Sequence, residues 1–129
     1  MIYVHTTDNG AVHPWEYMPA AAGTYQAGQM LNAKSGVMSP ISAASTTTPG
    51  YICMANINVA AGDNIPVTRI QKDAIYETQL SAKAEGAAIG SKLQVSAGGL
   101  QVDAGTAGTF ELTYVEDVEA GSTVRGRFV

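Results

Sequence analysis

Apolar and polar positions alternate along this chain in short runs punctuated by glycine. In Ile75-Tyr76-Glu77-Thr78-Gln79-Leu80 the alternation has the two-residue period of a strand with one buried face. Comparable runs predict strands over Met1 to His5, Tyr51 to Ala55, Ile65 to Ile70, Ala74 to Leu80, Lys92 to Val95, Phe110 to Val115 and Ser122 to Phe128. Turn words separate them: Asp8-Asn9-Gly10, Lys34-Ser35-Gly36, Thr48-Pro49-Gly50, Ala61-Gly62-Asp63, Ala97-Gly98-Gly99 and Ala120-Gly121-Ser122. Strands broken by such turns at intervals of about 8–12 residues predict an all-β fold, a small barrel or a sandwich. A helix has room only in Ala82 to Ala88, where Gly86 weakens it.

The same pattern occurs twice. Gly28-x-x-Leu31 with Gly36-x-Met38 recurs 62 positions later as Gly90-x-x-Leu93 with Gly98-x-Leu100. A second block recurs at 59 positions: Tyr51 on Phe110, Cys53 on Leu112, Val59 on Val118, Ala61-Gly62 on Ala120-Gly121 and Ile65 on Val124. One further slip pairs Arg69-Ile70 with Arg127-Phe128. Two pseudo-repeated β units, about 24–70 and 86–129, are therefore expected. Each is too small to bury a core alone, so they should share one β domain over 23–129. Residues 1–22 stand outside the repeat and hold both histidines, the single tryptophan and two of the five prolines. They predict an N-terminal arm or hairpin whose aromatics cover either the domain or a neighbour.

Composition narrows the chemistry. Charged residues are only 14% of the 129, and seven Lys and Arg against eleven Asp and Glu leave a net charge of −4. Nucleic acid and anionic membranes demand clustered cations, so neither is expected as a partner. No apolar run reaches the roughly 18 residues of a membrane-spanning helix, and the opening MIYVHTTDNG lacks the basic and apolar regions of a secretory signal. The single cysteine, Cys53, excludes an internal disulfide framework and a Cys-built zinc site.

Candidate catalytic groups are few. His5 and His13 flank the Asp8-Asn9-Gly10 turn, where two imidazoles with Asp8 or Glu16 suit a metal, against the plainer reading of two hydrogen-bonding histidines near a turn. Cys53 lies in the apolar run Tyr51-Ile52-Cys53-Met54 and reads as a small core hydrophobe. No Gly-x-Ser-x-Gly elbow occurs, and Ala97-Gly98-Gly99 lacks the Lys-Ser/Thr of a phosphate loop. Glu111, Glu116, Asp117 and Glu119 read as a solvated strand face and turn. Arg125 and Arg127 alternate onto one strand face, with Arg69 joining them through the repeat. Three of the seven cations there suit either solubility or pairing with a partner's acids.

Several segments together resemble the capsid decoration (head cement) proteins of tailed bacteriophages. They are Ala27-Gly28-x-x-Leu31, Tyr51-Ile52-Cys53-Met54, Ala61-Gly62-Asp63-x-Ile65-Pro66-Val67-x-Arg69, Ile75-Tyr76-Glu77-Thr78, Gly99-Leu100-Gln101-Val102 and Val124-Arg125-Gly126-Arg127-Phe128. The opening Tyr3-Val4-His5-x-x-Asp8-x-Gly10 with Pro14-Trp15-Glu16-Tyr17 is similar to an N-terminal piece of some gut-phage members. The resemblance implies a non-enzymatic virion protein without cofactor or metal. It would assemble in the host cytoplasm and bind the major capsid protein on the outside of the head as a homo-oligomer, often a trimer. By that analogy Met1 to Met18 meet the capsid by strand addition, with Tyr3, His5, Trp15 and Tyr17 as contacts, and Arg125 and Arg127 pair with a partner's acids. Two rival classes stand beside it. One is a ligand- or carbohydrate-binding β module, which needs exposed aromatics ringed by Asp, Asn and Gln. The other is a small hydrolase or metal enzyme using His5, His13 and Glu16.

Overall fold

The computed structural model describes residues 1–105 and 107–129. The chain is all-β, with 13 strands among the described residues: β1 (Tyr3–Thr7), β2 (Trp15–Pro19), β3 (Gly23–Tyr25), β4 (Met30–Lys34), β5 (Val37–Pro40), β6 (Tyr51–Cys53), β7 (Ile57–Val59), β8 (Asn64–Arg69), β9 (Ala74–Gln79), β10 (Lys92–Val95), β11 (Val102–Asp103), β12 (Phe110–Val115) and β13 (Thr123–Phe128). They form antiparallel sheets in the orders β1-β9-β13-β12-β10-β11, β2-β8-β6-β4-β5 and β3-β7. None closes into a barrel; the arrangement is compatible with a β sandwich. Ala82 to Ala88 forms turns, because Gly86 takes φ +75° and Ala84 N–H bonds across to Val118.

The two large sheets contain one unit twice, strand for strand. The order β2-β8-β6-β4-β5 in the first matches β9-β13-β12-β10-β11 in the second. The registers match as well. Leu31 faces Tyr51 as Leu93 faces Phe110, and Cys53 faces Val67 as Leu112 faces Gly126. Glu16 faces Val67 as Tyr76 faces Gly126. Gly28 N–H donates to Cys53 O as Gly90 N–H donates to Leu112 O, each at 2.8 Å. Both glycines have left-handed φ, +82° and +91°, which accounts for their recurrence at this step. The matched pairings begin at Glu16 and Tyr76, ahead of the repeat limits drawn from the sequence.

Two details of the sequence alignment change. The 59-residue offset holds to the end of β13, so Arg69 corresponds to Phe128 and Thr68 to Arg127; the extra slip that paired the arginines is absent. The hairpin from β4 to β5 turns on Ser35-Gly36, both at positive φ, between paired Lys34 and Val37. Its counterpart from β10 to β11 is two residues longer, so Met38 corresponds to Val102 rather than Leu100. An isolated bridge recurs in both units: Ala20, just past β2, pairs with Met38 of β5, and Leu80, just past β9, pairs with Val102 of β11.

The N-terminal residues are strands of these sheets. β1 and β2 do not pair with each other as a hairpin would: β1 lies on β9, and β2 lies on β8 at the edge of the other sheet. Ile2 is fully buried, and its N–H donates to Gly28 O. Burying this side chain contributes about 1.5–3 kcal/mol, which holds the start of the chain in the core.

Two apolar clusters organise the interior. The larger joins both sheets: Met30, Ile41 and Ile52 of the first unit meet Tyr76, Leu93, Phe110, Leu112 and Phe128 of the second. Phe128 packs at 5.1 Å from Phe110 and 5.6 Å from Tyr76, centroid to centroid, in tilted and edge-on geometry. The smaller fills the first unit with Tyr25, Leu31, Met38, Cys53, Ile65 and Val67.

Candidate interaction site at the amino-terminal strands

Five of the eight exposed large hydrophobics fall within the first 17 residues: Met1, Tyr3, Val12, Trp15 and Tyr17. Trp15 is 54% exposed and Tyr17 67%, although strand alternation allows such side chains a buried face. They stay outside because β2 is an edge strand whose alternate residues look away from the first unit's core. A groove of about 670 Å³ lies beside them, lined by β1, residues 10–13, Trp15, Gly28, Met54 and Thr68. Its lining contains no Asp, Glu, Asn, Gln, Lys or Arg.

The sequence candidates separate into two groups. Tyr3 and Trp15 line the groove, and Tyr17 follows on β2 two residues beyond Trp15. His5 occupies a bulge in β1, where the register jumps from Val4–Tyr76 to Thr6–Ile75, and its Nδ1 lies 3.9 Å from Glu77 Oε1. Arg125 and Arg127 are engaged within the chain. Arg125 Nε donates to Glu77 Oε1 at 2.8 Å, and its guanidinium stacks 4.7 Å from the Tyr114 ring. Arg127 donates to Asp8 Oδ1 at 2.6 Å and to Lys72 O. Arg69 is on the other sheet, doubly bonded to Glu16 at 2.7 and 3.1 Å and 5.4 Å from the Tyr51 ring. The cations that the sequence offered to a partner therefore already have acidic partners of their own.

The groups suggested for metal chemistry do not converge. His13 Nε2 lies 2.9 Å from Asp73 Oδ1, Glu16 holds Arg69, and His5 faces Glu77. No cluster of three His, Cys, Asp or Glu side chains occurs among the described residues. His13 Nδ1 is buried without a hydrogen-bond partner. Cys53 is buried, and desolvation pushes its thiol pKa up, so the reactive thiolate is disfavoured. The Arg69 guanidinium beside Glu16 holds that carboxyl below its ordinary value.

Sequence reasoning found the aromatics but not the groove, because Gly28, Met54 and Thr68 reach it from parts of the first unit that no local pattern connects to the N-terminus. No protein-family model matches the chain, and no curated protein matches it.

Proposed function

We propose that this chain is a non-enzymatic structural protein of a tailed-phage head, binding the outside of the capsid through its N-terminal face and stabilising the lattice. The carrying observation is that exposed Tyr3 and Trp15 line an apolar groove on a duplicated β scaffold, with exposed Tyr17 next along β2. Aromatic anchors next to apolar depressions suit a polypeptide surface, here the major capsid protein. Many copies on one shell let contacts of modest strength act together. The groove's lack of carboxylates and amides disfavours a glycan ligand, whose hydroxyls need such partners.

Deleting residues 1–18 would remove Ile2, β1 and most of β2 and so would test folding instead. Point variants are cleaner. Trp15→Ala with Tyr17→Ala should leave the circular dichroism spectrum unchanged and abolish co-sedimentation with expanded heads of the virus that encodes the chain. Undiminished co-sedimentation of the folded double variant would overturn the reading.

A further inference from the structure

The internal duplication shows what belongs on the free edge of β2. Its counterpart in the second unit, β9, is covered along that edge by β1, an extended antiparallel strand pairing with Ala74 to Glu77. The matching stretch of the first unit is Pro14 to Tyr17, and among the described residues no strand covers it.

Hydrogen-bond parity identifies the groups that face outward. Pro66 O accepts from Met54 N–H, so Pro66 turns its polar backbone toward β6, and Tyr17 opposite it must point its own N–H and C=O away from β8. Ala20, on the other parity, exchanges bonds with the 62–63 turn beside β8, and Pro14 O accepts from Thr68 Oγ1. His13, Trp15 and Tyr17 therefore share the outward parity. Asp73 is the counterpart of His13, and its carbonyl does accept from Asp8 N–H at 2.8 Å. The prolines agree with this reading. Pro14 has the inward parity, where its missing N–H costs an incoming strand nothing, and Pro19 has the outward parity, where the ladder must stop.

Three outward residues centred on Trp15 are self-complementary. We infer that two copies of this chain pair through their β2 edges, antiparallel about a two-fold axis at Trp15, with His13 opposite the partner's Tyr17. Each five-stranded sheet then continues into the other. Charge favours this register: Glu16 falls opposite Pro14 of the second copy, so no like charges meet, and Arg69 already neutralises its carboxylate. The β2 edge carries no lysine and no bulge, the usual guards against such pairing, whereas the β1 edge of the other sheet is bulged at His5. Self-pairing does not rest on the capsid reading, and it makes a pair where the resemblance implies three.

Light scattering on the full chain should give twice the 13.4 kDa chain mass, with Trp15 fluorescence shifting blue as concentration rises. Trp15→Glu and Trp15→Lys should each be monomeric, and mixing them in equal amounts should restore a dimer, because the axis sets residue 15 against itself. Tyr17→Ala keeps the backbone donor, whereas Tyr17→Pro removes it and should weaken pairing at least about tenfold further. A monomer or trimer for the unaltered chain would overturn the inference. So would a dimer that Trp15→Glu leaves intact, since a foreign strand or another surface would then be the β2 partner.

Discussion

Arg69 and Glu16 tie the outer strand β2 to its neighbour β8 by a two-point bond between a planar guanidinium and a carboxylate. Because the folded state holds the Glu16 carboxyl below its ordinary pKa of 4.5, its contribution to stability is present above that value. It is lost as pH falls through the depressed one. Arg69→Ala should return the Glu16 titration, followed by carboxyl carbon NMR, toward 4.5, and the stability gap between variant and parent should narrow in acid. A second residue-scale test lies at Gly99, at φ +73° with the side where a Cβ would stand against the Met30 carbonyl. A methyl there meets that backbone oxygen, so Gly99→Ala should cost roughly 3 kcal/mol, readable as a lower urea midpoint. The same substitution at exposed Gly36, where a Cβ meets nothing, carries only the φ penalty and should cost less.

Most strands were legible because their residues alternate or are β-branched. Lys92–Val95 and Phe110–Val115 have the limits expected, and Ala74–Gln79 buries Ala74, Tyr76 and Thr78 on one face as its period requires. The short strands β3, β7 and β11 were not, since two or three residues cannot display a period. The N-terminal segment misled for another reason. Exposed Trp15 and Tyr17 belong equally to a free arm and to an edge strand, and only the burial of Ile2 and the pairing with β8 and β9 decide between them. The arginine equivalence failed because both units keep one offset through the last strand, where a chance Arg at 127 invited a slip. Of the candidate site, the aromatics were visible in sequence, whereas the groove depends on long-range packing that local patterns do not encode.

At the scale of the molecule, the two units are alike in pairing but unlike in what they bury. The first has its own small cluster, while its Met30, Ile41 and Ile52 complete the larger cluster of the second. Neither half is thus a free-standing domain. A fragment covering 15–69 should show no cooperative thermal transition by circular dichroism, and adding a 70–129 fragment should not restore the parent spectrum without Ile2. A folded 15–69 fragment would show that the shared cluster is dispensable.

The two extra residues in the turn between β10 and β11 blur the repeat in sequence, yet they form the joint between the units. From that turn Gly99 O accepts Met30 N–H at 2.7 Å, Gly98 N–H donates to Ile41 O at 2.7 Å, and Gly98 O accepts from Gln29 Nε2. Ser35-Gly36, the tighter turn of the first unit, is too short to supply an equivalent reach. The insertion therefore works as a key with a single lock. A first unit can be clasped by a second, but a first unit cannot clasp another first unit. A duplicated β protein whose halves were interchangeable would be free to exchange partners end over end into open chains; here one lengthened turn gives the tandem a direction and closes it after two.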